Sequence, residues 1–555
     1  MASVSMITRP QRWDAPFGPE MTDADIHRLT ALPEFASIDA DSFPKHTPLD
    51  GILRNDTRIV RYSPGDIVVR EGDYGNSAFL VVSGNLRVVI APALPRNLIG
   101  RQLSERKNIF QALAQLWTNR TVPEVRDTSR YGNQSVRSNN QSEADARVFL
   151  QDIPAVLDEH QTAQLGPSTL FGELAALGRV PRTATIFAEE EAELLEIRWQ
   201  GLRELRKYDP TWRKTIDDRY RENALKVHLK SSSYFSGLSE EELNEVADAT
   251  LFESHGSFEW HVSYKRMRDQ GKADKEPIIA REGEYPDGLL MIRAGFARVS
   301  IKMGNGERTL TYLGAGDTFG YDELWAGHQG NDISLQTSLK AVGYVDLLRV
   351  PAPILGKYVF NKAGHHVTSP LHQLASHAVA QDAPLEWAVE QRFVNGTQAM
   401  LIDLNRCVRC DDCVRACAST HGGNPRFIRH GRTFDHWMVA NACMHCADPV
   451  CMIGCPTGAV HRSLETGAVV INDDTCIGCG TCANSCPYNN IRLVEINDVA
   501  GKMVRDPDSQ KPIMKATKCD LCETNPGGPS CVRACPHDAL QRVTFQDDET
   551  FGATS

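Results

Sequence analysis

The sequence predicts a multidomain α+β chain. Two antiparallel β barrels or sandwiches with flanking helices precede a small, internally duplicated, cysteine-rich domain. Three observations carry that prediction. From Ile59 to Ile90, short β-branched runs alternate with Pro-Gly, Glu-Gly-Asp and Ser-Gly-Asn turns, the pattern of closely spaced antiparallel strands. The stretch from Arg281 to Ile301 repeats the spacing of Arg70 to Ile90, a duplication whose period is too long for a solenoid. All 16 cysteines of the 555-residue chain fall between Cys407 and Cys535, in four groups of four.

Residues 1–35 are polar and read as a tail with a short helix. The first strand-rich domain spans 36–230 and contains a polar insertion near 92–160. The middle of that insertion, Arg130 to Asp145, is nearly devoid of apolar residues and reads as a disordered surface segment. Strands resume near Gln164, and residues 200–230, rich in Arg, Lys, Glu and Leu, read as helical. The second copy spans 231–365. Its entry helix has Ser239 as N-cap and Glu242 at the capping-box position. A linker over 366–398 follows, with His365, His366 and His372 scattered around its start. The cysteine domain occupies 399–545 and a tail 546–555.

Hydrophobic content of 41 % supplies several packed cores. A net charge of -11 argues against nucleic acid as a partner, because a polyanion needs a basic face. The N-terminus has no apolar core region and no twin arginine, so no export signal of its own is expected. No stretch approaches the roughly 20 apolar residues of a membrane helix. No cysteine precedes Cys407, which excludes a disulfide framework there and fits a cytoplasmic location.

In the first copy the strands lead to Phe171-Gly-Glu-Leu-Ala-Ala-Leu-Gly-Arg-Val-Pro-Arg-Thr-Ala-Thr-Ile186. This resembles the phosphate-binding cassette of cyclic-nucleotide-binding domains, as in protein kinase A regulatory subunits and the catabolite activator protein. The resemblance covers roughly residues 36–200 apart from the insertion and implies a β jelly roll. It implies a short helix opening at Gly172, whose free N–H groups face an anionic phosphate, with Leu174 in the same turn. Glu173 would accept from the ribose 2′-hydroxyl. Arg182 would pair with the cyclic phosphate through charge-assisted hydrogen bonds, and Thr183 would offer a hydroxyl near phosphate and base. The implied regulatory ligand is cAMP or cGMP. The second copy departs from the pattern: Glu323 is displaced by two residues, and Leu335 stands where Arg182 does. Without a guanidinium a cyclic phosphate would be desolvated and unpaired, so this copy is expected to be structural or a docking surface.

The cysteine groups are Cys407, Cys410, Cys413, Cys417; Cys443, Cys446, Cys451, Cys455; Cys476, Cys479, Cys482, Cys486; and Cys519, Cys522, Cys531, Cys535. Three end in Cys-Pro, at Pro456, Pro487 and Pro536. Three close thiols, a more distant one and a proline form the iron–sulfur spacing of bacterial ferredoxins. Zinc ribbons instead separate two pairs by a longer loop. The block from Met400 to Val543 resembles the four-cluster, ferredoxin-like electron-transfer subunits of molybdopterin oxidoreductases such as dimethyl sulfoxide reductase. It also resembles related subunits of formate dehydrogenases and hydrogenases. The resemblance implies four 4Fe–4S clusters held by Cys407, Cys410, Cys413 with Cys535; Cys519, Cys522, Cys531 with Cys417; Cys443, Cys446, Cys451 with Cys486; and Cys476, Cys479, Cys482 with Cys455. Ala418 replaces the proline that follows the other groups.

Asp411 and Asp412 read as solvated loop charge. Arg409, Arg415, Arg426, Arg429 and Arg432 make the start of the domain basic, suited to docking an acidic redox partner or tuning a cluster potential. His436, His445 and His461 lie near the thiols and read as hydrogen-bonding neighbours, since the cysteine count is already complete. No P-loop, dinucleotide fingerprint or nucleophile elbow is present. The expected function is a non-catalytic electron-transfer subunit. It would relay single electrons to or from an oxidoreductase or flavoprotein partner, with activity or docking under cyclic-nucleotide control. The alternative is a redox-responsive, cyclic-nucleotide-binding signalling protein acting through protein partners.

Overall fold

Eight short strands between Thr57 and Arg198 build two antiparallel sheets in the computed structural model. The structure describes residues 5–91, 122–130, 150, 153–178, 181–221, 225–257, 276–303, 306–331, 333–361, 383–464, 466–525 and 527–544. The strands are β1 (Thr57–Tyr62), β2 (Ile67–Val69), β3 (Ser77–Ser83), β4 (Leu86–Ala91), β5 (Gln161–Leu165), β6 (Leu170–Phe171), β7 (Thr185–Ala188) and β8 (Ala192–Arg198). One sheet has the order β1-β8-β3-β6 and the other β2-β7-β4-β5. Their facing sides bury Val60, Tyr62, Phe79, Val81, Phe171, Ile186 and Leu194 in one core. The insertion leaves between β4 and the edge strand β5, whose residues are mostly exposed, so the ladders stay unbroken.

The second copy repeats this plan strand for strand. β9 (Leu251–Gly256), β10 (Ile278–Ala280), β11 (Gly288–Ala294), β12 (Ala297–Met303), β13 (Gly306–Leu313), β14 (Thr318–Phe319), β15 (Ser338–Ala341) and β16 (Tyr344–Pro351) pair as β9-β16-β11-β14 and β10-β15-β12-β13. The register slips at equivalent places, between Val81 and Ser83 in β3 and between Ile292 and Ala294 in β11. Each slip is followed by a glycine with positive φ, Gly84 (83°) or Gly295 (88°). A Cβ there would lie 2.3 Å from the Glu191 carbonyl oxygen or 2.2 Å from that of Tyr344, so the hairpin needs glycine. Ser239 caps the Glu240–Ala249 helix, and Glu242 closes the expected capping box.

In the cysteine region a four-stranded sheet has the order Ile428–Phe434, Trp437–Asn441, Ala399–Asp403, Leu540–Val543. Two hairpin-like pairs accompany it, Val460–Arg462 with Val469–Ile471 and Arg492–Glu495 with Met514–Thr517. The chain forms two compact units. One contains residues 1–216, 398–445 and 449–542; the other contains 217–397, 446–448 and 543–555. The first jelly roll and most of the cysteine region therefore share one body. Their common core joins Leu53, Trp199, Leu202 and Leu205 to Met452, Val460 and Val469.

Two polar segments far from the cysteines in sequence are anchored in this unit. In the N-terminal tail, Ser5–Met6 adds a parallel strand to Val504–Arg505, and Ile7 covers Ile496, Val504 and Ile513. In the polar insertion, Val125 bridges to Asn497, and Arg126 is held between Glu124 and Asp473. Both additions satisfy backbone groups that a bare strand edge would leave open. The segment Tyr131–Asp145 and residues His365, His366 and His372 lie outside the described residues. The helices Trp199–Tyr208, Pro210–Tyr220 and Lys226–Ser231 occupy the stretch read as helical.

Asp56 fixes the junction of jelly roll and cysteine region. Its carboxylate is fully buried and accepts from Arg12 Nη2 at 3.1 Å and Arg198 Nε at 2.8 Å. Arg198 Nη1 donates to the Thr457 carbonyl at 3.0 Å. Removing one member of a buried pair strands the other charge. Asp56→Ala is expected to lower stability by about 3–5 kcal/mol, read as a drop in the urea midpoint; a loss below about 1 kcal/mol, the worth of an exposed pair, contradicts this.

Candidate metal centres and nucleotide site

Each cysteine group ends on a thiol that faces a backbone donor. Cys417 Sγ accepts from Arg426 N at 3.2 Å and Cys455 Sγ from Val460 N at 3.5 Å. Cys486 Sγ accepts from Asn490 N at 3.4 Å and Cys535 Sγ from Ala539 N at 3.3 Å. The first cysteine of the third group is served likewise, by Ala516 N at 3.5 Å. Such N–H···S bonds favour the thiolate over the thiol.

The thiols are grouped across the sequence. Cys455 lines a small pocket together with Cys476, Cys479 and Cys482. Burial pushes the Cys482 thiol upward in pKa, and nearby Cys455, Cys451, Cys476 and Cys479 push it the same way. Cys451 is raised by burial and by Cys443, Cys486 and Cys455. Cys531 is raised by burial to about 12; Arg542 opposes this, while Cys519, Cys417 and Cys522 reinforce it. Cys413 is raised by burial to about 11, with Cys407 among the contributors. Cys407 and Cys535 pack against one cluster containing Cys413, Cys417, Cys443, Cys519 and Cys531. Cys446 is half-buried, and Cys410 and Cys479 are exposed. Thiols that resist ionising alone, packed around a common space, fit a polynuclear cation that holds them as thiolates.

Three cations reach into the same region, Lys515 and Lys518 buried and Arg542 half-buried. Lys515 Nζ donates to the carbonyls of Asp473 at 2.7 Å and Cys476 at 2.6 Å. Lys518 is 2 % exposed; its Nζ donates to the Cys519 carbonyl at 3.0 Å and to that of Val469. Burial disfavours its charge, but Cys443, Cys451 and Cys519 outweigh that and hold it protonated. Arg542 donates from Nη2 to Cys519 Sγ at 3.0 Å and from Nη1 to the Cys443 carbonyl at 3.2 Å. Sequence reading passed over all three, because a lysine before a cysteine and an arginine past the last group look like surface charges. It also passed over His421. That ring hydrogen-bonds the Cys417 carbonyl at 2.7 Å and Asp520 at 2.9 Å. Burial opposes its charge, yet bonds with Asp520, Cys417 and Cys522 push its pKa up to about 12.

Among the residues singled out earlier, Asp411 and Asp412 are paired rather than simply solvated. Arg429 holds Asp411 at 2.6 Å, and Arg415 holds Asp412. Arg426 points inward to Thr517 at 2.9 Å. Asp411 and Asp412 thus neutralise two of the five arginines at the start of the domain. His445 is buried and accepts from Val469 N at 3.0 Å, His461 bonds the Ala459 carbonyl at 3.1 Å, and His436 pairs with Asp435.

In the first jelly roll, Gly172 and Glu173 open the Glu173–Gly178 helix, and Arg182 reaches back across it. Arg182 is 4 % exposed; Nη1 donates to the Gly172 carbonyl at 2.6 Å and Nη2 to the Ser77 carbonyl at 2.7 Å. These bonds fix the plane of the guanidinium, whose fork carries five donors. Glu173 is buried and Thr183 exposed, while the side chain of Leu174 lies outside the described residues.

The second copy shows what the substitution does. Arg182 bonds Gly72 and Asp73 through its backbone at 2.8 and 2.7 Å; Leu335 bonds Gly283 and Glu284 in the same way, both at 2.8 Å. The two positions are therefore equivalent. Leu335 is buried in the apolar core and lies 3.8 Å from the position a Cβ on Gly320 would take. Tyr321 follows Gly320 where Glu173 follows Gly172, and its ring centre lies 4.2 Å from that of Tyr234, the planes tilted by 33°. Glu323 instead accepts from Gln336 N at 3.3 Å. Hydrocarbon and phenol replace guanidinium and carboxylate.

Comparison with known proteins agrees with both halves. A family described as a 4Fe-4S dicluster domain matches residues 434–545, and one described as a cyclic nucleotide-binding domain matches 156–209 and 272–360. The putative electron transport protein YsaA of Escherichia coli is 34% identical over 152 residues, covering 26% of this chain and 87% of that protein. The polyferredoxin-like subunit of an aliphatic sulfonate oxidoreductase from Pyrococcus furiosus is 34% identical over 152 residues, 26% of this chain and 77% of its own. The regulatory domain of Toxoplasma gondii PKA with cAMP aligns over 61% of this chain and 93% of its own, at 17% identity and a TM-score of 0.21. Among the described residues, no helix is long and apolar enough to cross a membrane.

Cluster potentials respond to net charge and to hydrogen bonds on sulfur. Lys518→Met and Arg542→Gln are each expected to lower the potentials of the sites nearest Cys443 and Cys519, leaving that of the site nearest Cys479 in place. EPR-monitored redox titration checks this; equal shifts at every site, or none, contradict it.

Proposed function

Because the chain belongs to the family of electron-transport proteins with a 4Fe-4S dicluster domain, here joined to cyclic nucleotide-binding domains, we propose that it is a four-cluster electron relay under nucleotide control. It serves an oxidoreductase or flavoprotein partner and carries out no bond chemistry of its own. When bound, 4Fe–4S clusters supply reversible one-electron storage. The observation that carries the reading is the pocket where Cys455, the last cysteine of its group, meets Cys476, Cys479 and Cys482, the first three of the next. The proposed ligand sets are Cys407, Cys410, Cys413, Cys535; Cys519, Cys522, Cys531, Cys417; Cys443, Cys446, Cys451, Cys486; and Cys476, Cys479, Cys482, Cys455. The chain's part is to hold these thiolates, to offset their charge with N–H donors, Lys515, Lys518 and Arg542, and to bring one thiol of two sets to the surface. Exposed Cys410 and Cys479 are the natural places for electrons to enter and leave, since transfer to a partner favours short distances.

The regulatory half rests on Arg182. Two carbonyls orient its guanidinium inside the cassette, ready to pair with a cyclic phosphate, with Glu173 as acceptor for the ribose hydroxyl. The second copy, with Leu335 and Tyr321 in these places, binds no cyclic nucleotide in this reading.

Iron and sulfide analysis of anaerobically prepared protein is expected to find about sixteen irons, the number four cubanes require; about eight would reduce the relay to two clusters. Calorimetry with cAMP and cGMP is expected to show one site, which Arg182→Ala weakens roughly 30-fold or more, the cost of removing one partner of a buried charge pair. Unchanged affinity in that variant would remove the nucleotide assignment while leaving the relay intact.

A further inference from the structure

We infer that the three-residue loop Tyr74–Asn76 couples the nucleotide cassette to one iron–sulfur site, the one completed by Cys455, so that nucleotide binding and reduction there alter each other. This rests on the function proposed above and names its regulation.

The loop touches the cassette on one side. Tyr74 pairs with Pro181 in an antiparallel bridge, and Arg182 N donates to the Asp73 carbonyl at 2.7 Å. Gly75 lies directly against the guanidinium: a Cβ on it would sit 2.4 Å from Arg182 Cζ. On its other side the loop grips the cysteine region. Tyr74 N donates to the Leu464 carbonyl at 3.2 Å, and Asn76 Nδ2 donates to the Arg462 carbonyl at 3.2 Å. The Arg462 guanidinium lies 5.2 Å above the Tyr74 ring, and its Nη1 donates to the Gly467 carbonyl at 2.8 Å. Gly467 is packed so closely on that ring that a Cβ would stand 2.3 Å from it.

Arg462 ends the strand Val460–Arg462, and Val460 at the other end donates its N–H to Cys455 Sγ at 3.5 Å. Val460 and Ala459 also line the cavity shared by Cys455, Cys476, Cys479 and Cys482. From the phosphate-pairing arginine to a ligand sulfur, the path is one loop, two interdomain hydrogen bonds and one three-residue strand. Asp73, Gly75, Arg462 and Gly467 are buried, and close-packed interiors transmit displacement rather than absorb it. A phosphate drawn onto Arg182 presses on a loop with no slack at Gly75, and the strand carries that shift to the N–H···S bond, a known determinant of cluster potential. The step is one electron in or out, with no bond made or broken.

Binding linkage is reciprocal. If nucleotide shifts the potential of this site, reduction must change nucleotide affinity by the corresponding factor. A five-fold change, the low end of ordinary coupling, corresponds to about 40 mV for one electron.

The test uses the full-length, cluster-loaded protein. EPR-monitored titration with and without saturating cAMP or cGMP is expected to move one midpoint by about 40 mV or more and leave the others. Calorimetry on oxidised and dithionite-reduced protein is expected to show a matching difference of about five-fold or more. Tyr74→Ala is expected to bind nucleotide when oxidised but to lose both effects; Arg462→Gln attacks the same contact from the other side and serves if Tyr74→Ala fails to fold. Binding with no midpoint moved, or a shift that survives both variants, overturns the inference and leaves the proposed nucleotide site standing. Absence of binding in the unmodified protein overturns the regulatory reading itself, and this inference with it.

Discussion

Sixteen thiols gathered in fewer than 150 residues pose one overriding problem, negative charge away from water. An isolated buried thiolate is costly, and burial drives Cys451, Cys482 and Cys531 toward the neutral form. The rest of the unit is arranged around that cost. Backbone N–H groups meet the last thiol of every group, Lys515 and Lys518 give up solvent beside them, and Arg542 donates to Cys519 Sγ. Those cations in turn need carbonyl acceptors, which fixes the course of the segments holding Cys443, Val469, Asp473 and Cys476. The jelly roll closes one side with Trp199 and Leu202 rather than with more polar surface.

Much of this was legible in the sequence because it is periodic or motif-like. Strand alternation and turn glycines are local signals, and they located both jelly rolls and the capping box at Ser239. What escaped was long-range. Ser5–Met6 pairing with Val504–Arg505, Val125 pairing with Asn497 and the inward turn of Lys518 and Arg542 depend on partners up to hundreds of residues away. Each of these segments is polar and short, and polar short segments carry no periodic signature of burial. Asp411 and Asp412 read as solvated for the same reason; their partners Arg429 and Arg415 were visible, but their geometry was not.

The duplicated jelly rolls make an internal control. Their sheets, slips and hairpin glycines coincide, so the differences at Arg182 against Leu335 and Glu173 against Tyr321 cannot come from different folds. In the first copy a polar cassette is maintained at the cost of burying a guanidinium, satisfied by two carbonyls. In the second, the same space is filled by Leu335 and by the contact of Tyr321 with Tyr234, which stabilises without demanding a ligand. The fold needs only something of suitable volume there; charge is an added specification.

The N-terminal strand and the Val125 clip have a consequence for how the protein is made. Both lie far upstream of the residues they pair with, so neither can dock until Asn497 and Val504–Arg505 have been made. A fragment cut out as a free ferredoxin would keep every thiol but lose the Ser5–Met6 strand and the Val125 bridge, leaving the edge at Val504 and Asn497 open to pairing with neighbouring copies.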